Sequence, residues 1–117
     1  MNKYTELSDF EINRRIAEMD TKNRYVYFEK EQTIFRKFNN GQTQKFNPCN
    51  YPADAMPIII ENKICTAFDV FAEEHDGGNW VASPAYGFAN ERTRSNNLYR
   101  AAMELFLLMK DAENEKV

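Results

Sequence analysis

At 117 residues, with 43% hydrophobic and 28% charged side chains, the chain has the size and balance of one packed domain, which excludes a disordered polypeptide. Its net charge of −3, from 15 basic and 18 acidic residues, excludes the diffuse basic surface of a sequence-independent nucleic-acid binder. No stretch approaches the roughly 18 apolar residues of a membrane span, and Met1-Asn2-Lys3-Tyr4-Thr5 carries no apolar leader.

The first element is marked by Ser8 and Glu11, a capping box in which each side chain satisfies a backbone N–H at the helix start. Leu7 and Ile12 take the two staple positions, and Ile12, Ile16 and Met19 keep helical spacing, so a helix is predicted from Asp9 to about Met19. Tyr25-Val26-Tyr27-Phe28 and a second run from Thr33 to Phe38 read as strands around the charged break Glu29-Lys30-Glu31. Asn39-Asn40-Gly41 is a turn, after which Gln42 to Lys45 is either a short strand or loop.

Three prolines between Phe46 and Pro57 forbid a continuous element there. Asp54 reads as the N-cap of a helix that takes Pro57 in its first turn and runs to about Asn62, with Met56, Ile59, Ile60 and Ile64 on one face; Ile58-Ile59-Ile60 equally suits a buried strand. Alternation from Ile64 to Ala72 predicts a strand, His75 to Asn79 a hairpin loop, and Trp80 to Ala82 its return. Pro84 to Ser95 reads as a long irregular connection. Asn97 then caps a helix from Leu98 to about Asp111 with Leu98, Ala101, Ala102, Leu105, Phe106 and Met109 on its apolar face, followed by a frayed charged tail over 112–117. The expected architecture is a single α+β domain over 1–117, in the order α-β-β-α-β-β-α, with a small antiparallel sheet and helices on one face.

Three segments resemble the NinX-type accessory proteins of lambdoid bacteriophages: Leu7 to Asn13, Phe46 to Asn62 and Asn97 to Met109. The family's middle motif is matched by Phe46-Asn47-Pro48-Cys49-Asn50, Pro52-Ala53-Asp54-Ala55 and Pro57-Ile58-Ile59, and its last motif by Asn97-Leu98-Tyr99-Arg100-Ala101-Ala102-Met103. The sequence departs from the pattern at Asn47, where the family has an acid, which weakens a metal or general-base role there, and at Leu98, where a proline opens the helix. The resemblance implies phage origin and a host-cytoplasmic setting, and carries over no assigned activity.

Two segments carry candidate site residues. Asn47, Asn50, Tyr51 and Asp54 offer directed donors and acceptors and a stacking face on a proline-stiffened backbone, although the same residues also read as turn and helix caps. Arg92, Arg94, Asn97 and Arg100 surround the start of the last helix, where free N–H groups and guanidinium forks suit an anion; solvated arginines beside a capped helix are the plainer reading. Cys49 lacks a base, because His75, the one histidine, falls at a hairpin tip. The spacing of Cys49, Cys65 and His75 matches no zinc pattern, and the acids around His75 match no calcium loop. Trp80 and the aromatic run at Tyr25 read as core, without the basic interleaving of an RNA-binding strand pair.

The expected function is therefore that of a non-catalytic phage accessory protein, needing no cofactor or metal, that binds a small anionic, nucleotide-like ligand at a pocket between subunits of a homo-oligomer, in a counter-defence role. The alternative is an accessory factor that binds a host or phage protein through an apolar strip at Tyr99, Met103 and Leu107. The two readings predict different surfaces: arginines and Asn50 around a concavity for the ligand, an exposed apolar strip for the protein partner.

Overall fold

The computed structural model describes residues 2–85 and 91–115. Three helices, α1 (Asp9–Met19), α2 (Pro52–Glu61) and α3 (Leu98–Glu115), are interleaved with six strands: β1 (Arg24–Phe28), β2 (Thr33–Lys37), β3 (Thr43–Lys45), β4 (Cys65–Phe68), β5 (Trp80–Ser83) and β6 (Thr93–Ser95). The fold class is α+β, as expected, but the strands form two antiparallel three-stranded sheets, β1-β2-β3 and β4-β5-β6, so the order is α-β-β-β-α-β-β-β-α. Each expected hairpin has gained a third strand. Thr43–Lys45 returns along β2, and Thr93–Ser95, expected to be irregular, pairs with β5. Three-residue strands are too short for alternation to mark them in a sequence.

α1 begins as its capping box demands: Ser8 Oγ accepts from the Glu11 N–H at 3.1 Å, and the Ser8 N–H donates back to Glu11 Oε1 at 3.2 Å. Its inner face buries Phe10, Ile12, Ile16 and Ala17, while Met19 is exposed. α2 starts earlier than Asp54. Tyr51 is its N-cap and Pro52 opens it, since a proline at the first position gives up an N–H that has no partner in the helix anyway. Pro57 consequently lies inside the helix rather than in its first turn. The three isoleucines are helical, and the buried face is Ala55 and Ile59; Met56 and Ile60, expected on that face, are exposed.

β4 is shorter than the expected Ile64 to Ala72 strand because Asp69 ends it: its carboxylate accepts from the Phe71 N–H at 3.0 Å and its carbonyl from the Ala72 N–H. The loop before β5 contains a short 3-10 turn, Glu74–Asp76, and Gly77 and Gly78 at positive φ. Trp80 is half-buried, its ring edge-on to Phe68 at 5.1 Å.

α3 is the centre of the molecule. It packs on β5 and β6 on one side and on α1 and α2 on the other, so Ala101 to Leu107 are buried without a break. This overturns the expected surface strip: Met103 and Leu107 are completely buried, because a helix enclosed on both sides needs apolar residues beyond one stripe. Ala112 to Glu115, expected to fray, continue the helix; 116 and 117 lie outside the described residues, as does the middle of the Pro84 to Ser95 connection.

Candidate functional site

The asparagine-rich turn and the start of α3 meet directly. Asn97 Nδ2 donates to the Cys49 carbonyl at 2.9 Å and to Asn50 Oδ1 at 3.0 Å, while its Oδ1 caps α3 by accepting from the Tyr99 N–H at 2.9 Å. Asn50 Nδ2 donates to Asp9 Oδ2 and to Asn47 Oδ1, at 3.1 and 3.0 Å. The buried Asn13 of α1 closes the turn from below, donating to Asn47 Oδ1 at 2.8 Å and accepting from the Cys49 N–H at 3.0 Å. Asp54, from the first turn of α2, accepts from the Asn47 N–H at 2.9 Å.

Arg100 completes this knot from α3 and points inward. Its Nε donates to Glu104 Oε2 and its Nη1 to Asp9 Oδ1, both at 2.7 Å, and its Nη2 reaches the carbonyls of Tyr4 and Leu7 at 3.0 and 2.7 Å. The side chain is 12% exposed and that of Glu104 only 3%. Burial alone would lower the guanidinium pKa, but the bonds to Asp9 and Glu104 carry it above the ordinary value. The fork therefore serves internal acceptors. The three segments that carry the family resemblance are the three that this knot ties together.

The other predicted residues disperse. Arg94 turns to the β4-β5 hairpin, donating to Asp69 Oδ2 at 2.9 Å and to the Gly78 carbonyl at 3.3 Å. Arg92 is exposed, with Nη1 on the Glu91 carbonyl at 3.1 Å. Tyr51 is exposed and, with Asn47, borders a small cavity of about 190 Å³ beside β2. Arg94, Asn97 and Arg100 do share the wall of one open cleft of about 350 Å³, but Asp9 and Glu104 line it too, so its fixed charges cancel. Cys49 is fully buried, donates its thiol toward the Asp9 carbonyl, and has its pKa pushed up by that burial, with the Asp9 charge adding to the effect. His75 lies between the carboxylates of Glu73 and Asp76 on the exposed hairpin.

A larger cavity, of about 410 Å³, opens between α1, the first sheet and α2. Ile16, Phe46, Pro57, Ile58 and Phe106 form its apolar wall, and Asp54 reaches its edge. Arg36 enters it from β2, on the inward face that Ile34 also occupies and opposite Tyr25 in the register. Its guanidinium lies 5.2 Å from the Phe46 ring centre and 5.9 Å from that of Tyr25. Arg36 Nε is shielded from solvent and has no acceptor among the described residues. An unanswered, buried donor on a charged group is costly, and a ligand or ordered water is the usual answer. Sequence reading missed Arg36. The available signal was a cation at an inward position of a strand that alternates Ile34 and Arg36.

One of the carboxylates bordering this cavity, Asp20, is already engaged. Burial pushes Asp20 up, but bonds from the Tyr25 hydroxyl at 2.5 Å, the Asn23 side chain and the N–H groups of Lys22 and Asn23 outweigh it and hold its pKa at about 2. The same contact, behind burial, raises Tyr25 to about 12. Because the Asp20 pKa is lowered on folding, its contribution is fully present above the ordinary value of 3.8 and is lost as pH falls toward 2. Urea midpoints measured from pH 5 to 2 should fall more steeply for the natural chain than for Asp20→Asn; parallel curves would remove this role.

A family model described as Bacteriophage P22, NinX matches residues 3–110. The chain belongs to the NinX family of phage proteins. The match takes in the whole knot from Tyr4 to Glu104 and the Arg36 cavity, so both lie within the extent of the NinX domain. No curated protein and no solved structure matches the chain. Among the described residues of this NinX-family chain, no helix is long and apolar enough to cross a membrane, and no three His, Cys, Asp or Glu side chains come together as metal ligands.

Proposed function

We propose that this NinX-family protein is a non-catalytic accessory factor that binds a small anionic ligand with a flat apolar body in the cavity walled by Phe46, Ile58 and Phe106. The observation that carries the reading is Arg36, a guanidinium 5.2 and 5.9 Å from two aromatic ring centres, its shielded Nε without an acceptor among the described residues. Guanidinium forks bind carboxylate and phosphate oxygens, and the cavity volume of about 410 Å³ is within the range of small-molecule sites. Lys22 and Arg36 face Asp20, Asp54 and Glu61 around the cavity; this balance disfavours a polyphosphate and suits a ligand with one anionic group held by Arg36, such as a nucleoside monophosphate or a cyclic nucleotide. A protein that only holds such a molecule acts by withdrawing it from solution, which in an infected host is a counter-defence action against a nucleotide-type signal.

Calorimetry of the folded chain against a panel of nucleoside monophosphates, cyclic nucleotides and aromatic carboxylates is the test. Binding should weaken about ten- to a hundredfold in Arg36→Met, the worth of a charge-assisted hydrogen bond, and be unchanged in Arg92→Ala. If Arg94→Ala or Asn97→Ala removes the heat instead, the site moves to the cleft at the start of α3.

A protein partner is the second reading, favoured by the exposure of Val70 and Phe71 beyond β4, at 68% and 87%. A panel without heat, together with a specific protein captured from infected cells through those residues, would favour it over the ligand.

A further inference from the structure

The open edge of the second sheet bears on assembly. β4 pairs with β5 on one side, and among the described residues the order β4-β5-β6 leaves its other side without a paired strand. Its four residues, Cys65-Thr66-Ala67-Phe68, are all exposed and none is charged. Proteins usually blunt such an edge with charge, proline or extreme shortness. β3 follows that practice, with three residues ending on Lys45, and β1 opens on Arg24 with its middle residues half-buried. β4 instead ends on Phe68 and leads into Val70 and Phe71, the three exposed by 52%, 68% and 87%.

The direction of its free backbone groups follows from one bond. The Asp69 N–H donates to the Asn79 carbonyl at 2.7 Å, toward β5. Alternation along an antiparallel strand turns Cys65 and Ala67 the same way, so the N–H and C=O of Thr66 and Phe68 point outward. Two copies laid antiparallel can satisfy these groups by pairing Thr66 of each with Phe68 of the other, which forms four backbone hydrogen bonds and sets Ala67 against Ala67 at the axis. A shift toward the strand start would need the Ile64 N–H, which already donates to the Ile59 carbonyl at 3.0 Å. A shift the other way would need Val70, which lies in the turn after the strand.

The ends of the strand are complementary in charge. Lys63 precedes β4 and rests its ammonium on the Glu61 carbonyl at 3.1 Å rather than on a carboxylate. Glu73 and Glu74 follow the strand and are exposed. In this register Lys63 of one copy comes opposite the Val70–Phe71 turn of the other, which leads on to Glu73 and Glu74, and this occurs twice. We propose that the occupant of this edge is a second copy of the chain, joined through β4 into a continuous six-stranded sheet about a two-fold axis at Ala67.

Sedimentation and light scattering of the full chain should give twice the 13.8 kDa monomer mass. Ala67→Lys places like charges face to face at the axis and should raise the dissociation constant at least about tenfold, with an unchanged circular dichroism spectrum because the position is exposed. As an independent arm, Ala67→Cys in a Cys65→Ala background should yield a disulfide-linked dimer with diamide, since the axial pair is the close, non-hydrogen-bonded type, while Cys65→Ala alone should not. A natural chain that stays monomeric at about 0.1 mM, a dimer that Ala67→Lys leaves intact, or a monomer whose β4 edge is covered by a different protein would each overturn the proposal. Loss of the dimer with ligand heat retained, or the reverse, separates its failure from that of the Arg36 site.

Discussion

Arg100→Met should cost about 3–5 kcal/mol of folding stability, the range for removing one partner of a buried charge cluster. Methionine keeps the apolar stem but leaves Glu104, 3% exposed, with Asn2 Nδ2 at 3.1 Å as its one remaining side-chain partner among the described residues. It also strips Asp9 of its cation and the Leu7 carbonyl of its guanidinium donor, and leaves the Tyr4 carbonyl with the Leu7 N–H at 3.1 Å. Set against a total of roughly 5–15 kcal/mol for a domain of this kind, the loss brings the chain close to unfolding. Urea denaturation should show a large drop in midpoint at a nearly constant slope. Arg100→Lys should recover little, because one ammonium cannot span the Nε, Nη1 and Nη2 contacts made in three directions. Adding Glu104→Met to Arg100→Met should restore part of the loss by removing the stranded carboxylate. A loss below about 1 kcal/mol, the worth of a surface pair, would show that the knot is not what holds the N-terminal segment to α3.

Gly78→Ala should destabilise by about 3 kcal/mol or more, from two costs that add. Gly78 sits at φ 138, where a side chain is strained, and a Cβ there would come 2.2 Å from the Ser95 carbonyl carbon and 2.6 Å from the Asn96 nitrogen. Those neighbours are backbone at the end of β6, immediately before α3, so they cannot rotate aside. The hairpin must move away from β6, which also pulls the Gly78 carbonyl from Arg94. Gly41→Ala is the control: its φ is also positive, at 87, but nothing lies within 4 Å, so it bears only the backbone strain. Equal midpoints for the two variants would refute the packing argument.

The parts of the fold that were readable in advance are those set by neighbours along the chain. The Ser8–Glu11 capping box, the Ile12–Ile16 stripe, the strands at Tyr25 and Thr33 and the Asn97 cap depend on spacings of two to four residues, and each appears where it was expected. Asn47, Asn50, Asn97 and Arg100, expected to hold a ligand, meet in one network of hydrogen bonds to each other and to Asp9. What that network does could not be read from them. A guanidinium at a helix start looks the same in a sequence whether it faces solvent or two carboxylates, and the carboxylates here come from Asp9, far away in the chain, and from Glu104, one turn on. The Arg100–Glu104 spacing was a usable hint of an internal pair.

Local residue chemistry thus dictated the α+β class, the helix starts and most strand positions, because capping, periodicity and turn geometry act over one or two turns of chain. The division into two sheets, the complete burial of Met103 and Leu107, the inward turn of Arg100 and the unanswered Arg36 donor were settled by three-dimensional packing. Burial and charge pairing depend on which distant segments come to lie on both sides of α3, and no short-range pattern encodes that arrangement.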